Sequence, residues 1–248
     1  MSKSIQSSSN KPNPAFKEKK RNKSQDNVSW IANCIPENNK YPVLVLIGGR
    51  FIQDFRIRYA QSYLRNDLTP SSWSHVILLD DLINIKPETN IFEISLTPPK
   101  GFGFPPSHNG VQENSLSSYN SSSDFPNVGV LFLPVNKSEI DENIKRFKKQ
   151  RPIIDSPELI LRWLAYIWEV GNVSNPISES YGLPSATLME AVVNSAGFEL
   201  TPGLPSNSSC PEAIWQSFRW WNNYYKDQQK ENSVKGFYIR SHIILDED

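Results

Sequence analysis

The sequence predicts an α+β fold, in which strands and helices follow one another without regular alternation. Five runs of apolar residues are typical of strands, and five segments carry apolar residues at helical spacing. Because these strands and helices do not form repeated β-α-β units, the pattern argues against a doubly wound parallel sheet. At 248 residues the chain is long enough to bury a sizeable core.

The predicted strands are continuous or alternating apolar runs bounded by turn residues. The first run is followed by Gly48 and Gly49, which favour a buried strand over a helix. The run at 91–96 alternates apolar and polar residues, as expected for a strand with one buried face. The five predicted strands are residues 42–47, 73–79, 91–96, 128–133 and 237–245.

The predicted helices are identified by apolar stripes and by residues that begin or end a helix. Ser138 with Asp141 resembles a capping box, which opens a charged helix. Pro211 stands at a first helical position, where proline is favoured. The five predicted helices are residues 51–64, 138–149, 156–170, 185–196 and 211–225.

Two segments are expected to lie outside the core of a single domain that spans residues 39–248. Residues 1–38 are rich in Ser, Asn, Lys and Pro, so we expect a disordered basic tail with at most a short ordered piece at 28–35. An insertion at about 98–127 contains several prolines and the run SLSSYNSSSD, which predicts a long mobile loop. Residues 1–38 and 101–125 are therefore expected to be dispensable for folding.

Charge, cysteine content and hydropathy narrow the class of protein. The formal net charge is zero and the first 24 residues are strongly basic, so the rest is mildly acidic and no nucleic-acid partner is expected. Two cysteines are too few for a disulfide framework. We find no signal peptide and no apolar run long enough for a transmembrane segment. These features predict a cytoplasmic protein with reduced thiols.

The sequence predicts no cofactor and no metal site. It contains no metal-ligand spacing, no phosphate-binding glycine loop and no dinucleotide-binding fingerprint. Its three histidines are scattered along the chain, which argues against a zinc site. The Trp-rich helix at 211–225 is instead a candidate surface for a protein partner.

Two polar residues within predicted strands are candidates for chemistry. His75 stands in the strand at 73–79, where a lone histidine usually has a structural role. Glu93 lies between Phe92 and Ile94, so it either faces water on an edge strand or is buried and requires a partner. A histidine on the adjacent strand would be that partner, and we expect His75 and Glu93 to face each other.

Two residues at predicted helix starts are candidate nucleophiles. Ser185 and Cys210 both stand where backbone N–H groups and the helix dipole favour negative charge. Thiolates are activated in such places. The structural alternatives are that Ser185 serves only as an N-cap and that Cys210 is an inert buried thiol.

Three segments together resemble a known family. They are GGRFIQDFRIRYAQSYLRNDLTPSSWSHVILL, IFEISL and PSATLMEAVVNSAGFELTP. They are similar to the circularly permuted branch of the NlpC-type, papain-like cysteine peptidases, the YiiX-like group. This resemblance implies a central antiparallel sheet packed against helices. It also implies a hydrolase or acyltransferase-like enzyme that cleaves an amide, ester or thioester bond of a peptide-like or acyl substrate.

The family's functional positions map onto this sequence with one departure. Trp73-Ser74-His75-Val76 matches the histidine strand, which implies that His75 is the general base and that Glu93 orients it. The family's cysteine position is occupied by Ser185. Three alternatives follow: Ser185 is a serine nucleophile, the nucleophile has moved to Cys210, or the domain is a catalytically inactive binding or scaffold module. An unrelated α+β protein is the remaining interpretation.

Overall fold

A seven-stranded sheet runs through the described part of the chain, which in this computed structural model comprises residues 16–22, 24–96, 111–149, 156–227 and 235–240. The strands lie side by side in the order β1-β7-β6-β2-β3-β4-β5, and all neighbours are antiparallel except β1 and β7. In chain order they are β1 (Phe16–Glu18), β2 (Val43–Gly48), β3 (His75–Leu79), β4 (Asn90–Glu93), β5 (Gln112–Ser115), β6 (Asn127–Phe132) and β7 (Lys235–Ile239).

Helices cover both faces of the sheet, which confirms the predicted α+β class. One face packs against the first helix, and the other face packs against the remaining five. The central strands are therefore buried on both sides, which explains why β2 is a continuous apolar run. The six helices of the described residues are α1 (Asn27–Cys34), α2 (Ile52–Ala60), α3 (Lys137–Lys149), α4 (Ser156–Ile167), α5 (Pro184–Asn194) and α6 (Pro211–Asp227).

The prediction of a disordered tail at 1–38 is wrong for the described residues of that segment. Residues 16–18 form β1, and α1 covers one face of the sheet with a fully buried Trp30. Asp26 caps α1 by accepting a hydrogen bond from the Ser29 N–H at 2.7 Å. The short ordered piece expected at 28–35 corresponds to this helix, and residues 1–15 lie outside the described residues.

The prediction of a long mobile loop at 98–127 is also wrong for its second half. Residues 112–115 add β5 to the edge of the sheet, and a 3-10 turn spans Leu116–Tyr119. Val111, Leu116 and Tyr119 are buried, so these sparse apolar residues anchor a segment whose composition is otherwise polar. Residues 97–110 lie outside the described residues, as do positions 241–245 of the predicted last strand.

The C-terminal helix α6 is partly a core element. Ile214, Trp215 and Phe218 are buried in the core, whereas Trp220 and Tyr224 remain 52% and 39% exposed. The predicted role of this helix as a partner surface therefore applies only to its outer face, and it stays a prediction. None of the helices in the described residues has the length and apolar character needed to cross a membrane.

Candidate functional site

A histidine–glutamate pair lies on adjacent central strands, as the sequence predicted. His75 is the first residue of β3 and Glu93 the last of β4, and these two strands are antiparallel neighbours. The His75 Nε2 atom lies 2.7 Å from Glu93 Oε2. Glu93 is fully buried, so the interpretation of a solvated edge-strand carboxylate is wrong, and the partly exposed His75 is its partner.

Two further side chains hold the Glu93 carboxylate. The Tyr119 hydroxyl donates to Oε2 at 2.5 Å, and the Asn114 amide donates to Oε1 at 3.0 Å. Burial acts to raise the pKa of Glu93, but the hydrogen bond and charge of His75, with the bonds from Tyr119 and Asn114, outweigh it and lower the pKa overall. The carboxylate therefore stays ionised and can hold His75 by its Nε2 atom.

His75, but not Glu93, lines a cavity of about 870 Å³ at the end of β3. Its lining combines apolar walls with polar groups, among which His75, Asp54, Glu113 and Tyr119 are titratable. Ser185 lines the same cavity. The cavity therefore brings together the histidine and the serine that the sequence singled out, within a space large enough for a small organic ligand.

Ser185 does not serve as an N-cap. Leu183 occupies the cap position without a side-chain hydrogen bond, and Pro184 and Ser185 are the first two residues of α5. The side chain of Ser185 is 1% exposed, and its hydroxyl has no hydrogen-bond partner among the described residues. A buried hydroxyl without a partner costs free energy, so this serine requires an explanation other than helix capping.

Ser185 and His75 reach the cavity from opposite faces of the sheet. Side chains alternate along β3, which places His75 with Ile77 on the face covered by α1. The helix α5 packs on the other face, against residues such as Val76. No hydrogen bond joins Ser185 to His75, so the two groups share a cavity without direct contact.

Cys210 lies apart from this cavity. Its side chain is fully buried in the apolar core at the start of α6, and it does not line the cavity. Burial raises the pKa of the Cys210 thiol to about 12. Because the thiolate is the nucleophilic form, this environment fits the inert buried cysteine and not a relocated nucleophile.

Asp54 is a half-buried carboxylate that lines the cavity, and sequence analysis did not identify it. Its Oδ1 atom accepts the Ser74 hydroxyl at 2.7 Å, and Ser74 in turn accepts the Gly49 N–H at 3.1 Å. A Cβ atom at Gly49 would lie 2.0 Å from the Asp54 carboxylate, so a larger residue there would displace that carboxylate. Burial raises the pKa of Asp54, although Ser74 and the charges of His75 and Arg58 act in the opposite direction.

The sequence analysis also missed Asn114 and Tyr119. Both lie in the segment whose Ser- and Asn-rich composition predicted a mobile loop. The available signal was the pair Leu116 and Tyr119, two large residues three positions apart in a polar run, and both are buried. Among the described residues, no group of three or more His, Cys, Asp and Glu side chains is arranged to hold a metal ion.

Comparison of the chain with protein-family models, with curated proteins and with solved structures gives no match. The resemblance to the permuted papain-like group therefore rests on the sequence motifs. The functional argument rests on the geometry of the cavity at the end of β3.

Proposed function

We propose that the cavity is the active site of a hydrolase or acyltransferase-like enzyme with a permuted papain-like, NlpC-type fold. The observation that carries this proposal is that His75, held by the buried Glu93, lines one cavity with Ser185, whose hydroxyl has no partner among the described residues. In this proposal Ser185 is the nucleophile, His75 is the general base, and Glu93 is a positioning residue. The substrate is an amide, ester or thioester of a peptide-like or acyl compound.

The assigned roles follow from which atoms are already engaged. Glu93 holds Nε2 of His75, which leaves Nδ1 to take the proton from the Ser185 hydroxyl. The Ser185 oxygen then forms a bond to the carbonyl carbon, and His75 returns the proton to the leaving group as the old bond breaks. Water releases the acyl group in a hydrolase, and another acceptor does so in a transferase.

The helix start supplies the electrostatic part of this mechanism. Ser185 is the second residue of α5, where backbone N–H groups have no intrahelical acceptor. No described residue accepts a hydrogen bond from the Ser185 N–H. A donor beside the nucleophile is suited to stabilise the oxyanion that forms on the carbonyl oxygen.

The second candidate function is a catalytically inactive binding domain with the same cavity. Two observations favour it: Ser185 is only 1% exposed, and it makes no hydrogen bond to His75. Under the hydrolase proposal this contact forms when substrate binds, because catalytic hydrogen bonds often tighten only in the complex. The two candidates therefore differ in whether Ser185 reacts.

Labelling with a fluorophosphonate separates these candidates, because an activated serine displaces fluoride from phosphorus and stays covalently attached. We expect the wild-type protein to be labelled at Ser185, Ser185→Ala to lose the label, and His75→Ala to be labelled roughly 100-fold more slowly. Mass spectrometry of the labelled peptide identifies the site.

The matched control is Ser195→Ala, which removes an exposed serine from the C-terminal end of the same helix. This variant should be labelled at the wild-type rate. A folded wild-type protein that resists the probe, or a label at a serine other than Ser185, would exclude the hydrolase proposal and leave the binding domain.

A further inference from the structure

The histidine–glutamate pair is connected to the N-terminal helix through the loop at 116–125. We infer that Tyr119 is a positioning residue for the His75–Glu93 pair, and that Asn27 of α1 holds Tyr119 in place. The inference deepens the proposed function and rests on it, since it assumes that His75 acts as the base.

Tyr119 contacts both members of the pair. Its hydroxyl donates to Glu93 Oε2 at 2.5 Å, the same oxygen that lies 2.7 Å from His75 Nε2. Its ring stacks on the imidazole of His75 with the centroids 5.6 Å apart. One side chain thus restricts the carboxylate through a hydrogen bond and the imidazole through ring contact.

Asn27 fixes the loop that carries Tyr119. Its side-chain amide nitrogen lies within hydrogen-bond distance of three backbone carbonyls, those of Tyr119 at 2.9 Å, Ser121 at 3.2 Å and Phe125 at 3.0 Å. Asn27 is fully buried, and its own oxygen accepts a hydrogen bond from Arg21. The backbone adds Asn27 N–H to Asn120 O at 3.1 Å. Asn27 thus links three positions of this loop to the start of α1.

Through these contacts the N-terminal helix α1 is linked to the His75–Glu93 pair. Burial and the charge of Glu93 raise the pKa of Tyr119 well above its ordinary value, so Tyr119 stays a neutral hydrogen-bond donor to the carboxylate. Besides Tyr119, the side chains that act on the Glu93 carboxylate are His75 on β3 and Asn114 on β5. Removing the hydroxyl of Tyr119 leaves these groups in place, which makes the change specific.

The test is Tyr119→Phe, which keeps the ring on His75 and removes the hydroxyl. We expect the pKa of Glu93, measured by NMR on protein with ¹³C-labelled glutamate and assigned with Glu93→Gln, to rise by about one unit. We expect fluorophosphonate labelling of Ser185 to slow by about tenfold as the imidazole loses its orientation. The NMR readout needs no activity, so it judges this inference even where labelling fails and the proposed function falls.

Two matched pairs of variants separate positioning from stability. Tyr63→Phe removes another tyrosine hydroxyl, one that donates to the Ile177 carbonyl at 2.8 Å. This variant should leave the pKa of Glu93 unchanged. Asn27→Ala should raise the pKa of Glu93. The control Asn39→Ala removes a buried asparagine amide that donates to two carbonyls elsewhere, and it should leave that pKa unchanged. Asn27→Ser, which retains one hydroxyl donor, serves if Asn27→Ala does not fold.

A Glu93 pKa that stays within about 0.2 units of the wild-type value in Tyr119→Phe would overturn the role of Tyr119. The same result in Asn27→Ala or in Asn27→Ser would overturn the role of Asn27. Equal shifts in the Asn27 and Asn39 variants would overturn it as well, because they would reflect a general loss of stability.

Discussion

The two helix starts that carry candidate nucleophiles are neighbours in space but differ in what lies in front of them. The Leu183 N–H, just before α5, donates to the carbonyl of Ser209, just before α6, at 2.9 Å. Ser185 borders the cavity shared with His75 and has a hydroxyl without a partner. Cys210 stands just before the neighbouring helix α6, but it is enclosed by the apolar core, and the pKa of its thiol is raised.

This difference shows that intrinsic reactivity and function are separate properties of a helix start. A thiol is the stronger nucleophile, and both residues stand at a helix N-terminus, so the sequence favours Cys210 on chemistry. Burial removes that advantage, because the thiolate is disfavoured in an apolar environment. Ser185, the weaker of the two candidate nucleophiles, is the one that lines the cavity, and only the packing around each helix decides which of the two does so.

The variant Ser185→Cys tests the difference between the two helix starts most directly, and we expect the largest effect from it. The new thiol should react with iodoacetamide at a rate that His75→Ala lowers by roughly 100-fold. The background is low, because both native thiols, Cys34 and Cys210, are buried with pKa values of about 12. Mass spectrometry after timed quenching gives the rate for each cysteine.

The matched control for that experiment is Cys210→Ala, which should leave the rate of the Ser185→Cys thiol unchanged. Reaction at Cys210 instead, or a rate at position 185 that is independent of His75, would reverse the assignment of the two helix starts.

Ionisation of Glu93, the partner of His75, gives a second, intermediate effect. The lowered pKa of Glu93 contributes stability that is present above its unfolded value and is lost as the pH falls through its folded value, which lies below 4.5. Glu93→Gln should therefore cost about 1–3 kcal/mol of unfolding free energy at pH 7 and progressively less in this acidic window.

Urea denaturation of the wild-type and Glu93→Gln proteins from pH 3 to pH 7 measures this difference. A cost that stays constant across that range would show that the folded protein does not stabilise the ionised form of Glu93.

The smallest expected effect is on the free energy of unfolding, which should respond in opposite directions to substitutions at Ser185 and at Cys210. Ser185→Ala removes a buried hydroxyl that has no partner, so the free energy of unfolding should stay the same or rise by up to about 1 kcal/mol. Cys210→Ser introduces a hydroxyl into the apolar core and should cost about 1–3 kcal/mol. Thermal and urea denaturation of the two variants measure both values, and a marked destabilisation by Ser185→Ala would mean that its hydroxyl has a structural role.

Much of the architecture was predictable because local sequence patterns encode it. The central strands β2, β3 and β6 and the helices α3 to α6 lie close to their predicted positions, since continuous apolar runs and helical stripes reflect burial on fixed faces. The facing of His75 and Glu93 was also predictable and is confirmed, because a polar residue buried within an apolar strand requires a partner.

Composition predicted disorder in two polar segments that a few buried residues anchor to the core. Trp30 fixes α1 within a segment rich in Ser, Asn and Lys, and Tyr119 fixes the Ser-rich loop that reaches Glu93. Average hydropathy over such a segment is low, although the free energy comes from a few large side chains and from asparagine amides such as that of Asn27.

The sequence by itself determined the α+β class, the central strands, the His75–Glu93 pair and the two candidate nucleophiles. Only the tertiary structure decided which nucleophile borders the cavity, and it alone brought Asp54, Asn114 and Tyr119 to the pair. The physical reason is that strand and helix patterns depend on neighbours within a few residues. The burial of Cys210 and the position of Ser185 beside a cavity depend on contacts between segments that are distant in sequence.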